Sequence, residues 1–207
     1  MIFLNFKTYK SGTSENGQKL AKLCRNYGSG GIIPVVQAVD IFQIRENLDI
    51  PLWVQSADGK KPFKNTGYIT PYALKSAGAE GFFINHSDCP KPKLEINKLI
   101  NMAEDLNLKT LLFASNKEKL LELDQLGADY LSLEDPSLIA SDIAMVDKYE
   151  VLFKKLAKIL KTPLVIGAGI RTKAHYQKAL QLGAVGVVLS SQVMESADPQ
   201  KAINDLV

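Results

Sequence analysis

The sequence predicts an α/β fold, a (β/α)8 barrel in one domain over residues 1–207. Three observations carry that prediction. Short apolar runs recur without the polar alternation of a half-exposed strand, which is how strands covered on both faces read. Helical patterns, with apolar residues at three- and four-residue spacing, lie between them. One phrase, a helix end followed by Gly-Ala and a strand, occurs as LKSAGAEGFFI (74–84), LDQLGADYLSL (123–133) and LQLGAVGVVLS (180–190).

Taken in order, IFL (2–4) is the first strand candidate and leads straight to Asn5 and Lys7. SENGQKLAKLCRNY (14–27) places Leu20, Leu23 and Cys24 on one helical face. GIIPVV (31–36) ends at Gln37, and PLWV (51–54) ends at Gln55 and Ser56, with Trp53 read as packing. GFFI (81–84) runs into Asn85, His86 and Asp88. KLEINKLINMAEDL (93–106) groups Ile96, Leu99, Ile100 and Ala103. TLLFA (110–114) precedes Ser115 and Asn116, and NKEKLLELDQLG (116–127) stops at a glycine cap. YLSL (130–133) is followed by Glu134 and Asp135, and PLVIG (163–167) by Gly169 and Arg171. KAHYQKALQLG (173–183) has its own glycine cap, and GVVL (186–189) meets Ser190 and Ser191. Eight units in 207 residues average about 26 residues each, near the low end for such a barrel. A doubly wound open sheet is the structural alternative. Its usual glycine-rich first turn is missing, because the first strand leads into NFKTYKSGTS.

Composition narrows the function classes. The chain is 46% hydrophobic and 23% charged, with a formal net charge of +3 and a pI near 8.7. The lysines are scattered and not interleaved with aromatics, which argues against a nucleic-acid partner. Cys24 and Cys89 lack metal-type spacing and read as free thiols of a reducing compartment. No apolar run reaches the ~18 residues that span a membrane. MIFLNFKTYK does not read as a signal peptide, so the expected location is the cytoplasm.

In a barrel of this kind the active site lies at the carboxyl ends of the strands. There Lys7, His86 and Glu134 arrive from different strands, and together they suit proton abstraction beside a carbonyl. That reaction needs a carboxylate base and donors aimed at the developing oxyanion. A neutral imidazole at a helix N-terminus donates without being a strong acid, and the NHSD turn (85–88) is expected to lead into such a helix. The small residues of GAGI (167–170) and Ser190–Ser191 offer backbone N–H groups to a phosphate. Singly, each feature has a plainer reading: a solvated lysine, a satisfied loop histidine, a helix-start carboxylate, a tight turn. His175, mid-helix among lysines, reads as surface.

In register along nearly the whole chain, these motifs resemble the triosephosphate isomerase family, most of all its short archaeal-type branch. NFKTY (5–9), NTGYI (65–69), INHSD (84–88), LSLEDPSLIAS (131–141), LVIGAGIRT (164–172) and GVVLSSQV (186–193) carry the resemblance. It implies a TIM barrel that interconverts D-glyceraldehyde 3-phosphate and dihydroxyacetone phosphate through an enediolate, in glycolysis and gluconeogenesis, without metal or organic cofactor. Carried over, Glu134 is the base, His86 the electrophile, and Lys7, with Asn5 beside it, the stabiliser of the enediolate oxygen and the dianion. Phe6 contributes backbone, and Ile139, Gly169, Ser190 and Ser191 bind the phosphate. This family is itself the standard case of a neutral catalytic histidine and a closing loop. It also implies a homodimer or homotetramer in which the third loop, SADGKKPFKNTGY (56–68), reaches a neighbour through Phe63 and Thr66.

The chain departs from the family pattern at several positions. Asp88 stands where Glu is usual, and CP (89–90) where an Arg follows. Asp135 replaces Pro, and is expected to raise the pKa of Glu134 only if both carboxylates face the pocket. Ala140 and Asp142 alter the sixth loop, Arg171 stands where Ser is common, and Gln192 replaces a Gly. These departures frame an alternative, a non-catalytic or regulatory barrel that binds a phosphosugar or a protein. A third reading is another phosphate-binding barrel enzyme, of the kind found in tryptophan or thiamine synthesis.

Overall fold

The computed structural model describes residues 1–27, 31–135 and 143–207. Eight parallel strands close in sequence order: β1 (Ile2–Asn5), β2 (Ile32–Val36), β3 (Trp53–Val54), β4 (Gly81–Ile84), β5 (Lys109–Ala114), β6 (Tyr130–Leu133), β7 (Leu164–Ile166) and β8 (Gly186–Leu189). β1 pairs with β8 through Ile2↔Val187 to Leu4↔Leu189, which completes the barrel. Each strand coincides with one of the apolar runs. The described helices are α1 (Ser14–Cys24), α2 (Ile41–Asn47), α3 (Pro71–Ser76), α4 (Lys93–Asp105), α5 (Lys117–Leu123), α6 (Met145–Lys148), α7 (Glu150–Ile159), α8 (Lys173–Gln181), α9 (Ser191–Met194) and α10 (Pro199–Asn204).

The period of two along each strand divides the apolar residues between two cores. Phe3, Val35, Trp53, Phe83, Leu111, Phe113, Val165 and Val188 fill the barrel interior. Their neighbours Ile2, Leu4, Phe82, Ile84, Leu112 and Leu133 join the layer packed against the helices. Trp53 meets Phe3 edge-on at 4.9 Å between ring centroids, so it packs the interior as expected. On the helix side α4 buries Ile96, Leu99, Ile100 and Ala103, the same four that its spacing grouped.

The repeated Gly-Ala turn has one physical cause. Gly78, Gly127 and Gly183 have φ of 93°, 85° and 95°, the left-handed region in which a Cβ is penalised. Each reverses the chain at a helix end and delivers an alanine and then a strand.

Candidate active site

The same period of two decides what faces the barrel mouth. Continuing the inward register of β1, β3, β4, β6 and β8 by one step past the apolar residues gives Asn5, Gln55, Asn85, Glu134 and Ser190. A cavity of about 90 Å³ opens there. Asn5, Lys7, Tyr9, His86, Glu134, Gly169, Arg171, Ser190 and Ser191 are among the residues that line it. The structure thus brings together Asn5, Lys7, His86, Glu134, Gly169, Ser190 and Ser191 from five strand ends, those of β1, β4, β6, β7 and β8. Phe6 is different: its side chain is fully buried in the outer core, so only its backbone is available near the site. Ile139, Ala140 and Asp142 lie outside the described residues.

Lys7 has φ 45°, in the left-handed region. Two side chains hold it there: its N–H donates to Asn5 Oδ1 at 2.9 Å, and Gln55 Nε2 donates to its carbonyl at 2.8 Å. Its Nζ meets Asp88 Oδ2 at 2.8 Å, so the shorter carboxylate still reaches the lysine. Burial by itself raises the Asp88 pKa, but the hydrogen bond and charge of Lys7, with His86, outweigh it and hold the carboxyl below its ordinary 3.8.

His86 is 6% exposed. Asn85, at φ 62°, breaks the strand before it, with its side-chain amide donating to the Phe113 carbonyl at 2.9 Å. The imidazole lies parallel to Phe83, the planes 4° apart, and meets Phe113 edge-on at 5.0 Å. The N–H of Asp88 donates to His86 Nδ1 at 3.0 Å, so Nδ1 is an acceptor and the ring proton of the neutral form sits on Nε2. Burial is the largest influence on His86 and lowers its pKa; the nearby carboxylates of Glu134 and Asp88 oppose that shift without cancelling it. The expected helix does not follow the NHSD turn directly, because α4 starts at Lys93, beyond Pro90 and Pro92. Burial and one backbone N–H keep this histidine neutral, and a helix N-terminus is not involved.

Glu134, also 6% exposed, has Oε1 3.5 Å from His86 Nε2. Its Oε2 accepts from Ser87 Oγ at 2.8 Å. The neighbouring Asp135 turns the other way: Tyr149 donates to it at 2.8 Å and Lys148 lies 3.6 Å away, so its carboxylate is not a wall of the cavity. Ser87 and Gln55 hold two of the candidate groups, Glu134 and Lys7; the sequence marks Gln55 as the polar residue after its run but assigns a role to neither. Their contacts span 47 and 48 residues; the signal for Ser87 is its position beside His86, and for Gln55 its place at the end of an apolar run. His175 is not simply a surface residue either. It is half-buried, and its Nδ1 accepts from the Arg171 N–H at 3.3 Å.

Among the described residues, no group of three or more His, Cys, Asp or Glu side chains is placed to hold a metal ion, and no helix is long and apolar enough to cross a membrane. The triosephosphate isomerase family model matches residues 1–123, and a model for the thiazole biosynthesis protein ThiG matches 125–206. Triosephosphate isomerase of Sulfurisphaera tokodaii is 33% identical over 215 residues, covering all of this chain and 93% of the relative. Two solved structures superpose with a TM-score of 0.71. One is the triosephosphate isomerase of Bartonella henselae, at 16% identity, covering 99% of this chain and 97% of that one. The other is the N-acetylmannosamine-6-phosphate 2-epimerase of Clostridium perfringens, at 19%, covering 100% and 93%. At those identities the two structures speak for the fold alone. The full-length relative and the family model decide the assignment: this TIM-barrel chain is an isomerase of the triosephosphate isomerase family.

Proposed function

We propose that the chain interconverts D-glyceraldehyde 3-phosphate and dihydroxyacetone phosphate through an enediolate. The observation that carries this reading is the pair at the cavity mouth: a buried carboxylate, Glu134, 3.5 Å from the Nε2–H side of a neutral imidazole, His86. In the forward step the Glu134 carboxylate takes a proton from the carbon beside the carbonyl. His86 Nε2–H donates to the carbonyl oxygen as that oxygen gains negative charge, and Lys7 and Asn5 face it from β1. His86 passes its Nε2 proton to that oxygen and takes the hydroxyl proton from the adjacent one, so the proton moves between the two oxygens; Glu134 then returns its own proton to the former carbonyl carbon, giving the isomer with no net change in the enzyme. Ser87 holds Glu134 ready between turnovers. Gly169, Ser190 and Ser191, which also line the cavity, take the phosphate.

The family supports a place for this reaction in glycolysis and gluconeogenesis, in the cytoplasm, with 1–207 acting as one domain. A homodimer or homotetramer is supported by the apolar side chains exposed along neighbouring connections: Val39 at 80% and Phe42 at 60% after β2, Phe63 at 82% and Tyr68 at 50% after β3. A coupled assay with purified protein tests the activity. No turnover of either triose phosphate, from protein that is folded by circular dichroism, refutes it and favours the non-catalytic alternative.

A further inference from the structure

We propose that Ser132 is a positioning residue for the base, acting through one water molecule held in a niche beneath Glu134. The inference rests on the triose-phosphate reading and adds a second support to its carboxylate. Ser132 points into the barrel, since its strand neighbours Phe113 and Val165 both belong to the interior. It is fully buried, and its hydroxyl oxygen has no hydrogen-bond partner among the described residues. A hydroxyl left so is costly, and protein interiors ordinarily satisfy it with a protein group or a water.

The niche arises because one residue of the inner layer carries no side chain. Gly167 is buried and stands two positions after the inward-facing Val165, so it faces the interior too. An atom placed where its Cβ would be lies 3.5 Å from Ser132 Oγ, 3.5 Å from Val188 Cβ and 3.9 Å from Glu134 Oε1. Those are ordinary contact distances, so the space admits an atom the size of a water oxygen. A hydroxyl and a carboxylate oxygen in its wall give that water two polar partners, as a buried water requires. It accepts from the Ser132 hydroxyl and donates to Oε1. Of the two carboxylate oxygens, Oε2 already accepts from Ser87 at 2.8 Å, whereas Oε1 faces His86 Nε2 at 3.5 Å. The water thus steadies the more loosely held oxygen, which keeps another lone pair for the substrate proton. Aim matters to the rate, because proton transfer needs base and carbon in a narrow mutual geometry.

The test uses the full chain as wild type, Ser132→Ala, Gly167→Ala and the double variant, each checked for folding by circular dichroism. Ser132→Ala removes the hydroxyl. Gly167→Ala keeps it and fills the niche with a methyl group that meets nothing closer than 3.5 Å, at a φ outside the left-handed region. A crystal structure of the wild type is expected to show ordered solvent within about 3.2 Å of both Ser132 Oγ and Glu134 Oε1, and neither single variant retains it. In the coupled assay, loss of one neutral hydrogen-bonded link lowers kcat about 3- to 10-fold in each single variant. KM, and calorimetric binding of inorganic phosphate, change by about twofold or less, a split that general loosening of the fold would not produce. The double variant loses no more than either single one, because both changes remove the same water. Unchanged kcat in both single variants overturns the proposal, as do additive losses or a wild-type niche without solvent, and each leaves the proposed reaction standing. Solvent bridging the two oxygens, with the carboxylate displaced in both variants, in a wild type that isomerises nothing, retains this inference and removes that reaction.

Discussion

Replacing His86 with glutamine should change how the protein's stability depends on pH. The imidazole is 6% exposed, and its Nδ1 lone pair is occupied by the Asp88 N–H at 3.0 Å, so a second ring proton finds little solvent and displaces that N–H, with the Asp88 carboxylate 3.8 Å away opposing the cost without cancelling it. Its folded pKa therefore lies below the ordinary 6.5, with burial the main cause. Between 6.5 and that lower value the unfolded chain binds a proton that the folded chain does not. Stability from this group is fully present above 6.5 and is lost as pH falls toward the folded pKa. For one proton the limiting slope is about 1.4 kcal/mol per pH unit. Asp88 does not confound the window, because its lowered pKa places its own loss below 3.8. Urea unfolding between pH 5 and 7.5 should show wild-type stability falling as pH falls, with up to one proton's slope missing in His86→Gln. Equal slopes in the two proteins would refute the buried neutral imidazole. His86→Ala, assayed at neutral pH, should lose on the order of 10²–10³-fold in kcat through loss of an oxyanion donor, and an unchanged rate would contradict that role.

Glu134→Gln should abolish nearly all proton transfer while leaving the melting temperature and phosphate binding largely intact; wild-type-like turnover rules Glu134 out as the base. Lys7→Met removes a charge that Asp88 holds at 2.8 Å and should weaken both turnover and binding of phosphoglycolate, with equal affinity in the two proteins counting against a dianion role. Gly169→Ala places a Cβ 2.6 Å from the Ile143 carbonyl oxygen at φ 73°, so it should cost about 1–3 kcal/mol in urea unfolding and raise KM, and an unperturbed variant would show that the loop yields freely. Light scattering at micromolar concentration should find a dimer or larger, and a fully active monomer would sink both the interface and any dependence of catalysis on assembly.

The barrel was legible because its strands are covered on both faces. Burial imposes unbroken apolar runs, and the left-handed turn at Gly78, Gly127 and Gly183 imposes glycine. The residues that face the mouth were legible for a related reason, since they are the first polar positions after each run. What the sequence does not display is the support beneath them. Ser87 serves Glu134, Gln55 serves Lys7 and His175 serves Arg171 through contacts that only the closed barrel creates. The expectation of a helix just after His86 fails for a local reason. Pro90 and Pro92 keep the residues before them out of helical conformation, and α4 begins at Lys93. The neutral ring it was meant to explain arises instead from burial between Phe83 and Phe113.

The two family matches meet near residue 124, and the proposed chemistry spans that boundary. The first segment carries Asn5, Lys7, His86 and Ser87, side chains whose identity matters because a proton moves beside them. The second carries Gly169 and Ser190–Ser191, where small residues and exposed N–H groups suffice. A cradle of that kind suits any phosphorylated substrate, so resemblance in the second segment alone does not fix a reaction. Glu134 belongs to the second segment, but it acquires its meaning from the first: its two oxygens face Ser87 at 2.8 Å and His86 at 3.5 Å. β5 pairing with β6 sets Ala114 beside Leu133, and the backbone N–H of Glu134 donates to the Ala114 carbonyl at 2.9 Å. That register fixes the base opposite the imidazole. A one-residue slip would turn Glu134 toward the helices and leave the phosphate cradle untouched. The proposed role of Glu134 as the base therefore rests on this one strand register more than on any single motif.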